Sequence, residues 1–333
     1  LLHSCEPDVF ASPPTHFRHR CRFVLARLPA PGDEMATLPM NRPLQYALFD
    51  SGAPSVAVRD FPIASSAINE LMPRLLAELN ARAPLSAGIA AVHFLSTQAG
   101  DMLVSLIYAE PLHARWRDEA LKMQRTLKLA AVVGRAKGTC VKLPRDWVVE
   151  SYALADGRRL RYQQLEGAFS NPSAAMAEHT LSWLCAAAAD IVAAAAGSGG
   201  GAREPPSLLE LYCGNGNHTV ALAPLFKRLL AVEIDARLCA AAVGNLKENG
   251  VDDRNVRVLC APSARFCGEL LRRINRPAAA APVAAPAPAP PPVPAPAPPA
   301  PDALCALARV ALAVCGCQPA PAPSKTPATP PAA

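Results

Sequence analysis

The chain has eleven cysteines but no Cys-x-x-Cys pair. Zinc and iron-sulfur sites use such close pairs, and a disulfide framework pairs an even number of cysteines in a small secreted domain. The sequence therefore argues against a metal site and against a disulfide-stapled protein. Scattered thiols are typical of a reducing intracellular compartment.

The sequence also lacks an apolar run long enough to cross a membrane, which takes about 20 residues. The Ala-rich stretch "LCAAAADIVAAAAG" carries Asp190 in its middle, so it predicts a packed helix and no membrane association. The sequence begins with Leu1 rather than Met, and we expect an incomplete N-terminus. The choice between a cytoplasmic and an organellar location stays open.

Charge is nearly absent from residues 275–333, where proline and alanine dominate. Such a segment cannot bury enough apolar surface to offset the entropy of ordering, so we expect it to be disordered. Residues 1–165 and 166–274 are each long enough to form a domain. The formal net charge of +6 permits an anionic partner and is equally compatible with an ordinary solvated surface.

Residues 1–165 contain two hairpins, each followed by a helix, which predicts an α+β domain with a largely antiparallel sheet. In the first helix, "SSAINELMPRLLAELNAR", we expect Pro73 to kink or break the helix. In "FRHRCRF" the alternation places Arg18, Arg20 and Arg22 on one face of a strand. Alternate residues lie roughly 6.6 Å apart, close to the phosphate spacing of a nucleic acid, although a merely solvated face fits the same pattern.

Residues 166–274 begin with a long helix that we expect Ser170 or Asn171 to cap, with Pro172 near its first turn. Strand "SLLELY", loop "CGNGN", helix "HTVALAPLF", strand "RLLAVEID", helix "ARLCAAAVGNLKENG" and strand "NVRVLCA" follow. This alternation predicts an α/β Rossmann-like domain with a parallel sheet and a ligand at the carboxyl ends of its strands.

The loop "CGNGN" has the composition of a ligand-binding turn. Gly214 and Gly216 allow a tight turn and close approach to a ligand, and Glu233 at the end of the next strand can accept hydrogen bonds from the two hydroxyls of a ribose. The third glycine of a dinucleotide-binding fingerprint is absent, which favours S-adenosylmethionine over a nicotinamide or flavin. A tight turn with no ligand is the alternative.

These stretches resemble the tRNA (uracil-5-)-methyltransferase family. The resemblance includes "LLELYCGNGNHTVALA" and "LLAVEID", and upstream "HFRHRCRF", "DFPIASSAINELM", "MLVSLIYAEPLHARWRDEA", "VGRAKG" and "RYQQLEGAFSNPSAAM", so it covers roughly residues 6 to 270. It implies an RNA-binding half, a methyltransferase half and S-adenosylmethionine as cofactor. We expect tRNA as the partner and a monomer.

The resemblance also implies residue roles. Tyr212, Asn217 and Glu233 match the family's cofactor contacts. A family glutamine that contacts the cofactor corresponds to Asn171, in a stretch that also contains Phe169, which we assign to RNA contact with the three arginines.

In the family, a cysteine adds to carbon 6 of the T-loop uridine, and a glutamate removes the proton from carbon 5 after methyl transfer. The expected Asp-Pro-Pro-Arg and Ser-Cys-Asn-Pro stretches are not in this sequence, and the only acidic residue after Glu269 is Asp302. Cys317, before Gln318 and Pro319, is a weak candidate for the nucleophile. We therefore expect a methyltransferase truncated before its catalytic cysteine, with a catalytically inactive tRNA-binding fragment as the alternative. A related enzyme acting on ribosomal RNA is a further alternative, disfavoured because such enzymes often carry an iron-sulfur cysteine cluster.

Overall fold

The structure is a computed structural model that describes residues 9–28, 42–50, 53–197, 204–251 and 254–274. The glycine-rich residues 198–203 and the Pro/Ala-rich residues 275–333, which include Cys317, lie outside the described residues. Predictions that fall on them stay predictions.

The first part of the chain forms one seven-stranded sheet with the strand order β3-β2-β1-β4-β5-β6-β7. All its neighbouring strands are antiparallel except the parallel pair β5–β6. The strands are β1 (Arg20–Ala26), β2 (Gln45–Asp50), β3 (Ala53–Val58), β4 (Ile89–Ser96), β5 (Met102–Tyr108), β6 (Ala131–Ala136) and β7 (Thr139–Leu143). The predicted antiparallel sheet and both predicted hairpins are confirmed.

Three helices, α1 (Ser66–Ala81), α2 (Ala83–Ser86) and α3 (Trp116–Leu127), cover one face of this sheet. Ser65 caps α1 by accepting a hydrogen bond from the backbone of Ile68. Pro73 lies inside α1 without ending it, so the expected break does not occur. Because α1 buries apolar residues on both sides of the proline in one core, packing outweighs the lost backbone hydrogen bond.

A two-stranded hairpin, β8 (Trp147–Ala153) and β9 (Arg159–Leu165), follows the large sheet. Tyr152 and Tyr162 of this hairpin are buried in the same hydrophobic cluster as α4 (Ala174–Gly197) and the parallel sheet. The hairpin thus shares its core with the second half of the chain. The boundary expected after residue 165 stays a prediction.

The second half contains a three-stranded parallel sheet in the order β10 (Ser207–Leu211), β11 (Arg228–Glu233), β12 (Val256–Cys260). Between the strands lie α5 (Asn217–Leu222), extended by a 3-10 turn, and α6 (Ala236–Glu248). The predicted β-α-β-α-β series is confirmed. Parallel pairing places the turn after β10 beside Glu233 at the end of β11, as expected.

Two local predictions are wrong. The helix is capped by Ser173 and not by Ser170 or Asn171, because the Ser173 hydroxyl accepts from the backbone of Met176 at 3.2 Å. Pro172 lies directly before this cap, near the first turn as expected, and its carbonyl accepts a 2.7 Å hydrogen bond from the backbone of His19. Strand β1 begins at Arg20, and Arg18 instead forms isolated bridges with neighbouring segments.

Three elements were not anticipated, namely α2, β8 and α7 (Ser263–Ile274). In the part of the chain that the structure describes, no helix combines the length and apolar character needed to cross a membrane.

Candidate functional site

The turn after β10 is built from left-handed backbone. Tyr212, Gly214 and Gly216 have φ values of 58°, 57° and 78°. Glycine adopts this conformation without strain, whereas at Tyr212 it costs about 1 kcal/mol or more. The backbone N–H of Tyr212 donates to the buried hydroxyl of Ser263 at 3.3 Å, and the ring is 68% exposed. The turn therefore presents an aromatic ring to solvent.

The two glycines have different surroundings. A Cβ atom at Gly216 would lie 3.1 Å from the Cβ of Ala242, so this glycine lets the turn pack tightly on α6. A Cβ atom at Gly214 would meet nothing within 4 Å. The side of the turn at Gly214 is therefore open, as close approach by a ligand requires.

Glu233 is buried at the end of β11 and is bound to the turn. Its carboxylate accepts three backbone hydrogen bonds, from Gly214 at 3.0 Å, Ile234 at 2.8 Å and Asp235 at 2.9 Å. A carboxylate has about four acceptor positions. Glu233 thus fixes the turn against β11 and keeps some acceptor capacity.

A network of side-chain amides holds the turn from behind, and sequence reasoning missed it. Asn245 of α6 is fully buried, accepts from the backbone of Gln163 at 2.8 Å and donates to the carbonyl of Asn215 at 2.9 Å. Asn215 donates to the carbonyl of Gln163 at 2.8 Å. Tyr162 donates to the carbonyl of Asn217 at 2.9 Å. Hairpin β8–β9 is therefore part of the support for the turn.

A buried acid lies under the turn at Glu210. Burial raises its pKa to about 7, against the opposing effect of a hydrogen bond from the hydroxyl of Thr219, which it accepts at 2.6 Å. His218 lies 3.8 Å from the same carboxyl group, and burial lowers the pKa of this histidine. The site under the turn therefore favours neutral His218 at neutral pH, while the Glu210 carboxyl group titrates near pH 7.

The predicted basic residues lie close together, Arg20 and Arg22 on β1 of the large sheet and Arg18 just before it. Arg22 is exposed on the face away from the helices, while its neighbours in the strand, Cys21 and Phe23, are buried in the core. Arg20 is half-buried, and burial, aided by the charge of Arg22, lowers its pKa to about 10. Arg18 is half-buried and donates from Nε to the carbonyl of Arg20 at 2.9 Å. Arg20 therefore remains a cation at neutral pH.

Phe169 joins this basic surface. The Arg20 guanidinium donates to the carbonyl of Ala168, and the next residue, Phe169, has its side chain 75% exposed. An exposed aromatic ring beside arginines is suited to stacking with an unpaired base. Asn171 lies on the same segment, where its Oδ1 accepts from the backbone of Ser173 at 3.0 Å.

Further groups line the same face between β1, β4 and β5. A shallow pocket is bordered by Arg20, Arg22, His93 and Glu166. Glu166 is buried and accepts from Ser105 and from the guanidinium of Arg135. Burial by itself raises the pKa of Glu166, but these hydrogen bonds outweigh it and lower the pKa below the ordinary value. The negative charge of the Glu166 carboxylate is therefore balanced by the guanidinium of Arg135.

The candidate residues thus form two groups. One is the turn with Tyr212, Gly214, Gly216, Asn217 and Glu233, and the other is the basic surface with Arg18, Arg20, Arg22 and Phe169, next to Asn171. Within the described ranges, the structure contains no group of three His, Cys, Asp or Glu side chains able to hold a metal ion.

Comparison with known proteins identifies the family. The family model for tRNA (Uracil-5-)-methyltransferase matches residues 1–273. The chain belongs to this family. The match to the tRNA (uracil-5-)-methyltransferase family includes both the large sheet and the turn after β10.

Two similar relatives are both called tRNA/tmRNA (uracil-C(5))-methyltransferase. The one from Ectopseudomonas mendocina is 41% identical over 250 residues, which are 74% of this chain and 62% of the relative. The one from Aromatoleum aromaticum is 39% identical over 269 residues, 80% of this chain and 65% of the relative. The chain therefore spans less than two thirds of the length of these relatives.

A solved structure with the same fold is that of a Pyrococcus abyssi tRNA (uracil-54, C5)-methyltransferase in complex with S-adenosyl-L-homocysteine. The two share a TM-score of 0.50 at 12% sequence identity, over 74% of this chain and 56% of that one. At this identity the likeness supports the fold, with its mixed sheet and helices.

Proposed function

We propose that the protein takes part in S-adenosylmethionine-dependent methylation of carbon 5 of the T-loop uridine in tRNA. The observation that carries the proposal is the family match, which runs from the basic sheet through the turn after β10. In this proposal the chain supplies the cofactor turn and a tRNA-binding surface. An intracellular location and a monomeric state stay predictions.

The residues of the turn fit S-adenosylmethionine. The open side at Gly214 gives room for close approach of the cofactor to the backbone, and the exposed ring of Tyr212 offers an apolar surface beside it. Glu233 would accept hydrogen bonds from ribose hydroxyls, with Asn217 on the other side of the turn. When bound, S-adenosylmethionine would supply an electrophilic methyl group.

The basic surface fits the tRNA backbone. Arg22 is exposed, and Arg18 and Arg20 are held next to it by hydrogen bonds. Each phosphate contact releases a condensed counterion, so binding weakens as salt increases. Phe169 would stack on a base that has left its helix, since a target base must leave the stack before it is modified.

A second candidate, binding of tRNA without turnover by these 333 residues, is favoured by one observation on the sequence. It contains neither Asp-Pro-Pro-Arg nor Ser-Cys-Asn-Pro, and Asp302 is its only acid after Glu269. Cys317 stays a weak prediction for the nucleophile, outside the described residues. Both candidates share the tRNA surface and the cofactor turn.

The test uses the 333-residue chain with an unmodified tRNA transcript. Calorimetry measures S-adenosylmethionine binding, gel shift measures tRNA binding at several salt concentrations, and mass spectrometry of digested tRNA measures 5-methyluridine. Methylation supports the first candidate, and binding without methylation supports the second. Absence of both tRNA and cofactor binding by the folded chain would refute both.

The proposed role of the basic surface in tRNA binding is tested by a separate substitution. Arg22→Ala should weaken tRNA binding and reduce the slope of log affinity against log salt by about 1. Arg74→Ala is the matched control, because Arg74 is an exposed arginine on α1, on the opposite side of the sheet. Equal effects of the two substitutions would place the tRNA elsewhere.

A further inference from the structure

Two cysteines meet beside Glu233. Cys239 lies on the first turn of α6 and is buried, and Cys260 ends β12 and is exposed. Strand pairing places Cys260 directly opposite Glu233 in the parallel sheet. The pair is far apart in sequence and does not match any close-spaced cysteine motif.

The two thiols contact consecutive backbone carbonyls that follow the carboxylate. The Cys239 thiol donates to the carbonyl of Glu233 at 3.5 Å, and the Cys260 thiol donates to the carbonyl of Ile234 at 3.6 Å. Cys260 also contributes, after burial, to the raised pKa of Cys239. The sulfurs therefore bind the two peptide groups whose N–H groups donate to the Glu233 carboxylate.

We propose that Cys239 and Cys260 form a reversible disulfide on exposure to a peroxide, and that this disulfide weakens S-adenosylmethionine binding at the turn. The second part rests on the proposed function, whereas disulfide formation does not. The pair would make cofactor binding sensitive to oxidation.

The chemistry needs one peroxide and no metal. The exposed Cys260 thiolate attacks the O–O bond, forming a sulfenic acid and, for hydrogen peroxide, one water after proton uptake. Cys239 then attacks this sulfur, forms the S–S bond and releases a second water. In total two thiols and one hydrogen peroxide give one disulfide and two waters, and a thiol reductant reverses the reaction by exchange.

The order of events follows from exposure. Burial raises the pKa of Cys239 to about 11, so it stays protonated and is a poor first target. Cys260 is exposed and reaches the oxidant first. Once it is oxidised, Cys239, whose thiol binds the neighbouring carbonyl, is the cysteine placed to close the bond of about 2.05 Å.

Closing this distance changes the site. Both S–H donors are lost, so the carbonyls of Glu233 and Ile234 lose their sulfur partners, and the start of α6 moves toward the end of β12. Two of the three hydrogen bonds that hold the Glu233 carboxylate come from the same peptide groups. We expect a fall in cofactor affinity of about tenfold.

The test treats the folded, reduced 333-residue chain with hydrogen peroxide and digests it with trypsin. We expect a disulfide-linked peptide joining residues 238–247 and 258–265, lighter by two hydrogen atoms than the two reduced peptides together. The linked peptide should be absent from the Cys260→Ser and Cys239→Ala variants. It should be present in Cys140→Ser, the control variant, which replaces a different exposed cysteine. Failure to detect the linked peptide in the folded protein would overturn the proposal.

Calorimetry gives the second readout. S-adenosylmethionine affinity should fall about tenfold in the peroxide-treated protein, recover after reduction, and not change on treatment of Cys260→Ser. A linked peptide with unchanged affinity would overturn the regulatory part. A reduced protein that does not bind S-adenosylmethionine would contradict the proposed function, while the peptide result still decides whether the disulfide forms.

Discussion

Replacement of Glu233 by alanine tests the carboxylate at the end of β11 that holds the turn after β10. The substitution leaves the N–H groups of Gly214, Ile234 and Asp235 without their acceptor. At about 1 kcal/mol for each lost hydrogen bond, the free energy of unfolding should fall by about 3 kcal/mol. Domains are stable by about 5–15 kcal/mol, so the variant should stay folded and its affinity can be measured.

In addition to the loss of stability, the affinity of the variant for S-adenosylmethionine should fall. The ribose hydroxyls lose a charged acceptor, which is worth about 1.5–3 kcal/mol, or roughly tenfold to a hundredfold in affinity. Calorimetry with S-adenosylmethionine measures the affinity, and urea unfolding measures the stability. Unchanged values of both would refute the assignment of Glu233 as the residue that holds the turn and the ribose.

The matched control is Glu248→Ala. Glu248 is a half-exposed carboxylate on α6 that pairs with Arg161 at 3.0 Å. Exposed ion pairs contribute about 0–1 kcal/mol, so this variant should change stability little and cofactor affinity not at all. If Glu248→Ala lost as much cofactor affinity as Glu233→Ala, the overall negative charge of the protein, and not the contact between Glu233 and the turn, would determine the affinity.

Two further predictions concern buried groups near the turn. Asn245→Ala should lower the free energy of unfolding by about 2 kcal/mol, because it unpairs Gln163 and Asn215; a change within error in urea unfolding would contradict this. Burial raises the pKa of Glu210 in the folded state from its ordinary value of 4.5 to about 7. The stability that the protonated carboxyl group contributes is therefore full below about pH 4.5 and is lost as pH rises through about 7. Glu210→Gln should remove this part of the pH dependence, measured by unfolding at several pH values, and an unchanged profile would contradict it.

Much of the fold could be predicted because its signals are local. Alternating apolar residues identify the hairpins of the large sheet, and the β-α-β-α-β series is delimited by glycine turns and caps. The missed strand β8 is less clear in sequence, because "WVVESYA" buries Glu150. That carboxyl group accepts backbone hydrogen bonds from Gln98 and Ser151, partners that no local pattern reveals.

The site was predicted unevenly for the same reason. Glycines at positive φ and an acid at a strand end have recognisable positions, so Gly214, Gly216 and Glu233 could be identified. Asn245 could have been suspected, since it is an amide on the apolar face of α6 at helical spacing from Ala242. Its partners on β9 depend on tertiary packing, which no spacing in the sequence specifies.

The position of β9 has a consequence for how the two surfaces act together. Its residues Tyr162 and Gln163 hold the turn, and the chain then continues directly to Ala168, which binds Arg20, and to Phe169. A segment of fewer than ten residues therefore contacts both groups of candidate residues. Because β9 packs its apolar side chains into the core that it shares with α4 and the parallel sheet, movement of Phe169 on the proposed tRNA binding would be opposed by the same packing that fixes the turn. In the proposed function this geometry would couple the basic surface to the turn, although the sequence separates Arg22 from Glu233 by most of the described chain.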